Sequence, residues 1–232
     1  MGTVILLRHA RSIANGAKTL AGRTPGIELD ETGRAQAADL VGRLAAVPLA
    51  GLVRSPLLRC EQTLAPLVHA TGVEPVVEDD LAEVDYGSWT GKELSELVDE
   101  PLWRVVQTHP SGAVFPDGEG LAEVQARAVA AVRRHDRRIT AEHGETAVWL
   151  LCSHGDVIKS VLADALGQHL DAFQRIVVDP GSMSVVRYTE LRPMLLRLND
   201  SGGDLGEIVP KQQESGAEKP SSDNPVGGTT GA

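Results

Sequence analysis

Apolar residues along the chain fall into two kinds of segment. Short unbroken runs, Val4-Ile5-Leu6-Leu7, Leu52-Val53, Pro75-Val76-Val77 and Ala147 to Leu151, read as strands buried on both faces. Such strands need a sheet covered by helices on both sides. Between them, apolar positions recur every three or four residues, the spacing of one helix face. Ala35, Ala38, Leu40, Val41 and Leu44 predict a helix with Thr32 as its cap and Pro48 beyond its end. Ser55 and Pro56 are expected to cap and open a second helix, which carries Arg59. A long helix is predicted from Leu121 to about His143, with Val124, Ala128, Ala131, Val132 and Ile139 as its buried stripe; Gly120 leaves its start without a side-chain cap. Another runs from Asp156 to Leu166 and stops at Gly167. Val177-Val178, Met183 to Tyr188 and Met194 to Leu198 read as the last strands.

The stretch from Tyr86 to Gly120 is interrupted by Gly87, Gly91, Pro101, Pro110 and further breakers around at most two short helices, which suits a substrate-facing insertion. Strands alternating with helices predict an α/β fold of three layers, with a mostly parallel central sheet of about six strands and helices on both faces. A single catalytic domain is expected over residues 1–199. Residues 200–232, rich in Gly, Ser, Pro, Glu and Lys, read as a disordered tail.

Composition narrows the function classes. With 42% hydrophobic and 23% charged residues the chain can build an ordinary globular core, and its formal charge of -10 argues against a nucleic-acid surface. The basic block Arg133-Arg134-His135-Asp136-Arg137-Arg138 is expected to solvate a helix face. No apolar stretch approaches the ~20 residues of a membrane span, and the start shows no signal-peptide pattern, so no membrane partner and a cytoplasmic location are expected. Cys60 and Cys152 form no CxxC pair and begin no Cys-x5-Arg phosphate loop; both are expected to pack as small apolar residues.

Two histidines stand where apolar runs stop: His9, in Arg8-His9-Ala10-Arg11, and His154, after Val148-Trp149-Leu150-Leu151. In an open α/β sheet, ligands bind outside the carboxyl ends of the strands, so both imidazoles can face one pocket. A phosphate ester needs positive charge on its oxygens, an in-line nucleophile and a proton for the leaving group. Arg8 and Arg59 offer guanidinium forks, His154 adds a donor when protonated, and a neutral His9 can attack to give a phosphohistidine. Glu83 is the candidate for the leaving group's proton, with Asp85 and Asp156 as rivals. An acidic optimum is expected if His154 must carry a proton. The arginines stand where metal enzymes use cations, and no His-x-x-x-Asp or His-Glu-x-x-His spacing occurs, so neither metal nor cofactor is expected.

Four motifs occur in order: Arg8-His9-Ala10-Arg11-Ser12-Ile13-Ala14-Asn15, Ser55-Pro56-Leu57-Leu58-Arg59-Cys60-Glu61-Gln62-Thr63, Leu81-Ala82-Glu83-Val84-Asp85-Tyr86-Gly87-Ser88-Trp89-Thr90-Gly91, and Ser153-His154-Gly155. Together they resemble the histidine phosphatase, or phosphoglycerate mutase-like, superfamily over nearly all of residues 3–198. The resemblance implies that His9 is the phosphorylated nucleophile and Glu83 the proton donor. It makes Arg8, Arg59, His154 and Gly155 the phosphate pocket, with Asn15 a further phosphate or substrate contact. Two positions depart from the pattern: Ala10 replaces the usual Gly, which matters if that position needs a positive φ, and Gly120 replaces a frequent Ser.

Within the family, the segment from Glu83 to Trp89 looks like the phosphatase branch; glycolytic mutases usually carry Glu-Arg-His-Tyr-Gly there, and paired arginines that the stretch from Gly91 to Gly118 lacks. Hydrolysis of a small phosphorylated metabolite is therefore expected. A phosphomutase is the alternative, and a non-catalytic module that binds phosphorylated ligands is the third reading. Monomer and homodimer stay open. His69, His109, His135, His143 and His169 are expected at the surface or in loops. Trp89, Trp103 and Trp149 are expected to pack, with substrate contact an alternative for Trp103.

Overall fold

The first strand, β1 (Thr3–Arg8), is apolar at successive positions because it lies inside a sheet covered on both sides. The computed structural model describes residues 1–203, so most of the expected tail lies outside the described residues. After β1 come the one-turn helix α1 (Ile13–Gly16), α2 (Glu31–Arg43), β2 (Leu49–Arg54), α3 (Leu58–Thr71) and β3 (Pro75–Val77). The irregular stretch holds two short helices, α4 (Leu94–Leu97) and α5 (Pro101–Thr108). It leads into α6 (Leu121–His143), β4 (Val148–Ser153), α7 (Gly155–Ala165), β5 (Met183–Arg187) and β6 (Met194–Asp200).

The sheet order is β3-β2-β4-β1-β5-β6. The strands β1 to β4 run parallel to one another, whereas β5 is antiparallel to β1 and β6 to β5, so the sheet is mixed. The short link from Tyr188 to Pro193 cannot hold a crossover, which forces β6 to return antiparallel. Alternate side chains divide the core. Val4, Leu6, Trp149 and Leu151 pack with α6 and α7, while Ile5, Leu7, Leu150 and Cys152 pack with α2 and α3 on the other face. Among the described residues no helix is long and apolar enough to cross a membrane.

Several local expectations change. Val177-Val178 is not a strand; Val178 is buried and its carbonyl accepts from Arg8 Nη1 at 2.7 Å, which takes the place of a sheet partner. The cap of α2 is Asp30 rather than Thr32, because Asp30 Oδ1 accepts from the Gly33 amide at 2.8 Å. A Cβ at Gly33 would collide with the Arg11 carbonyl, so this glycine lets α2 press against the loop after His9. The N-cap of α3 is Leu57, with no side-chain cap; Ser55 is engaged elsewhere. As expected, α6 starts at Gly120 without a side-chain cap, although Glu123 accepts from the Gly120 amide at 3.0 Å.

The basic block of α6 is not uniformly solvated. His135 is buried and meets Glu78 Oε2 at 2.8 Å, and Asp136 accepts from the Gly2 amide and from Trp149 Nε1, both at 3.1 Å. The other four histidines in question are exposed. Burial pushes the Glu78 carboxyl up, but the hydrogen bonds of Arg134 and His135 outweigh it and leave the group below its ordinary value of 4.5. A carboxylate lowered on folding stabilises the native state above its unfolded value, and that stability fades as pH falls through the folded one. Glu78→Gln is therefore expected to lower Tm at pH 7 and to converge with the parent protein below pH 4.5, as thermal melts across pH will show.

Candidate active site

Three parallel strands deliver the site. Arg8 of β1 lies in register with Ser153 of β4, and Arg54 of β2 with Cys152, so the residues that follow, His9, His154 and Ser55, emerge side by side. Backbone bonds lock the exit, His9 N to Ser153 O at 2.9 Å and Ser55 N to Cys152 O at 3.0 Å. The ring centroids of His9 and His154 are 5.2 Å apart. Arg59, in the first turn of α3, reaches between them: its Nε donates to His9 Nε2 at 3.2 Å and its Nη2 to His154 Nδ1 at 3.1 Å and to the Gly22 carbonyl at 2.9 Å.

A guanidinium has no lone pair with which to accept, so both ring nitrogens facing Arg59 must be acceptors. This assigns the tautomers. His9 carries its proton on Nδ1, which donates to the Ala10 carbonyl at 2.8 Å, and Nε2 keeps its lone pair. His154 carries its proton on Nε2, 2.7 Å from Ser55 Oγ. Burial, then the charges of Arg59 and Arg8, hold the His9 imidazole well below its usual range. Burial and Arg59 do the same to His154, with smaller contributions from His9, Arg8 and Arg127. In this arrangement burial and Arg59 favour the neutral His154 ring, with its N–H turned to Ser55.

Arg8 is also buried, with Glu83, Asp156 and Asp179 opposing the effect of burial on its charge. Ala10 is accommodated in place of glycine: it is not among the positive-φ residues, and its amide donates to Thr63 Oγ1 at 2.9 Å. Gly155 opens α7, whose first-turn amides lack a side-chain cap at the end of the helix that favours anions. Asn15 lies on α1, its Oδ1 accepting from the amide and hydroxyl of Ser12 at 3.0 and 2.8 Å.

Glu83 follows the 3-10 turn Asp79–Leu81 and is buried, its Oε1 accepting from the Val84 amide at 3.0 Å. Burial, and then the neighbouring Asp156 carboxylate, push its pKa up to about 7; Arg59, the Val84 amide and Arg8 pull the other way without prevailing. Asp85 is the weaker rival, since its carboxylate accepts from the Gly87 amide and shapes a turn. Asp156 is fully buried beside Tyr86 and Lys159. Trp103 is packed in the core, its ring 6.4 Å from that of Trp89.

The sequence profile of the histidine phosphatase superfamily (branch 1) matches residues 4–201. The chain belongs to that superfamily. A phosphoserine phosphatase 1 of Hydrogenobacter thermophilus is 31% identical over 205 residues, which cover 86% of this chain and 92% of that protein. A probable phosphoglycerate mutase, GpmB, of Yersinia pestis is 29% identical over 209 residues, covering 88% and 94%. The solved structure of Bacillus stearothermophilus YhfR matches with a TM-score of 0.77 at 25% identity, over 86% of this chain and 98% of that one.

In this superfamily member, several residues that support the site gave no periodic signal. Ser55 reads as a helix cap in the sequence but holds His154. Arg127 of α6 grips the segment of Glu83 from behind, donating to the Asp80 carbonyl at 2.6 Å, the Glu83 carbonyl at 3.3 Å and Glu119. Arg23 donates to the same Glu83 carbonyl at 2.8 Å and to Glu119 at 2.7 Å. Gln62 and Thr63, the last residues of the second motif, bind the Leu29 and Ala10 amides and so fasten loops to α3. The motif sets Gln62 and Thr63 beside Arg59 along the chain but does not show what they hold.

Proposed function

We propose that this protein hydrolyses phosphomonoesters of small metabolites through a phosphohistidine formed on His9. The observation that carries the reading is the fork of Arg59 between two facing neutral imidazoles, which leaves His9 Nε2 as an unprotonated acceptor within a cationic pocket. In the first step the Nε2–P bond forms as the ester P–O bond breaks, and the proton of Glu83 passes to the departing oxygen. In the second, water attacks phosphorus, returns a proton to Glu83, and frees the imidazole with release of inorganic phosphate. Arg8 and Arg59 supply the positive charge on the phosphoryl oxygens. A phosphoryl dianion between the rings favours a protonated His154 and so reverses part of the bias that burial imposes.

The two titrations set the pH window. His9 must be neutral, a form that burial and the arginine charges favour, whereas Glu83 must be protonated and loses its proton near 7, so activity on unactivated esters should extend from acid to neutral pH and fall above it. Incubation with a radiolabelled phosphomonoester, followed by an alkaline quench, is expected to leave label on the protein that is lost on acid treatment, as a phosphoimidazole behaves. Turnover without any such label would overturn the reading.

The likeness to GpmB favours a second reading, a phosphomutase acting on a sugar acid. Steady-state hydrolysis of an aryl phosphate should be indifferent to added bisphosphoglycerate if the protein is a hydrolase. A requirement for that primer would move the assignment to the mutase. Absence of turnover on a broad ester panel would leave ligand binding alone.

A further inference from the structure

Near enough to Glu83 for the charge of Asp156 to bear on it, the protein buries three ionisable groups that the reaction above does not use. Asp156 and Lys159, on the first turns of α7, are both 0% exposed and lie 3.5 Å apart. Tyr86, also fully buried, donates its hydroxyl to Asp156 Oδ2 at 2.8 Å. Lys159 Nζ donates to Gln174 Oε1 at 3.0 Å and lies 5.5 Å from the centre of the Phe173 ring. Desolvating an ion pair removes much of its gain, and apolar residues of similar volume often serve stability as well or better, so stability is a poor reason for this cluster.

Its connections suggest a better one. Tyr86 lies three residues after Glu83, and Asp156 two residues after His154, so the hydrogen bond between them ties the segment of the proton donor to the helix that presents the second imidazole. Phe115 braces Tyr86 edge-on, with the ring centres 4.9 Å apart. Lys159 and Gln174 hold the other side, so Asp156 cannot swing away from the donor.

We propose that Asp156, fixed by Tyr86 and Lys159, is a positioning residue for Glu83: it anchors the donor's segment against α7 and sets a buried negative charge behind the donor carboxyl. This rests on the reading of Glu83 as the proton donor. Glu83 faces Arg8 from β1, Arg59 from α3, Asp156 and Lys159 from α7, and Tyr86 from its own segment, with Arg127 of α6 and Arg23 gripping its carbonyl. Of these, Asp156 is the principal charge that opposes ionisation of Glu83, and the arginines favour it.

The test compares an alkyl phosphate, whose leaving group needs a proton, with 4-nitrophenyl phosphate, whose leaving group does not. Profiles of kcat/KM against pH are recorded for both esters. Asp156→Asn keeps an acceptor for Tyr86 but removes the charge. For the alkyl ester its alkaline limb should move down from about 7 by roughly one pH unit or more, with roughly a tenfold loss at neutral pH, and the aryl ester should change little. Tyr86→Phe keeps the charge and cuts the tether, so alkyl turnover should fall more than aryl turnover while the limb does not move down. Glu83→Gln is the control and should cost the alkyl ester on the order of 10²-fold or more.

An unchanged limb in folded Asp156→Asn, or a Tyr86→Phe protein indistinguishable from the parent on the alkyl ester, overturns the positioning role while Glu83 remains the donor. If Glu83→Gln shows no preference between the esters, Glu83 is not the donor and both ideas fall. Loss of alkyl turnover in Asp156→Asn beside retention in Glu83→Gln would make Asp156 the donor itself, which also overturns the proposal.

Discussion

His9→Ala is expected to lower turnover by on the order of 10⁴-fold or more while phosphate esters still bind. The imidazole supplies an unprotonated nitrogen, Nε2, held at Arg59 in the cationic pocket, and alanine offers no atom to form the covalent intermediate. Arg8, Arg59, His154 and the amides at the start of α7 are untouched, so recognition of the phosphoryl group should persist, and the variant should retain an ester that the parent would hydrolyse. The variant should also fold. The ring is neutral and buried, and its removal leaves Arg59 with its contacts to His154 and Gly22. Single-turnover kinetics together with calorimetric titration of an ester will check both halves. Turnover within about tenfold of the parent would exclude His9 as the nucleophile, because the covalent route needs an atom that alanine lacks.

Arg59→Met should reduce kcat/KM by roughly 10²–10³-fold, the usual loss when a preorganised donor to a developing anion is removed from a dry site. A second effect distinguishes this from simple damage. The Arg59 charge is, after burial, the main cause that holds both imidazoles below their usual range, so its removal should raise the pKa of His9. A protonated His9 cannot attack, and the acid limb of the pH profile should therefore move upward, towards neutral pH. Arg59→Lys should fall between the two, since an ammonium keeps the charge but cannot span two rings and the Gly22 carbonyl with one planar fork. A pH profile of kcat/KM for the three proteins, with a weakly basic leaving group to suppress the role of Glu83, isolates the limb. An acid limb that stays in place in Arg59→Met would contradict the electrostatic account of the pair.

Much of this architecture was legible along the chain because each cue was local. The continuous apolar run of β1 and the helical stripe of α6 declare themselves at periods of two faces and of 3.6 residues, and both elements stand where expected. Arg8, His9, Arg59, Glu83 and His154 could be named as candidates through short motifs, all but Glu83 tied to a strand end or a helix start. The misreadings share a cause. Thr32, Ser55 and Val177-Val178 were assigned the local role their residue types favour, and in each case a partner distant in sequence or a better-placed neighbour claimed the position. His135 looked solvated inside a run of arginines, yet Glu78, far away in the chain, draws it into a buried bond.

By itself the sequence determined the elements, the candidate groups and the chemistry those groups share, since propensity, periodicity and side-chain type are properties of neighbouring residues. Only the tertiary structure decided that β1, β4 and β2 end together, that Arg59 lies between the two imidazoles and so assigns their protons, and that Tyr86 binds Asp156 across the core. These are facts of strand order and burial. Proton affinity depends on which charges are brought close and how far water is excluded, and neither quantity exists until the chain has folded.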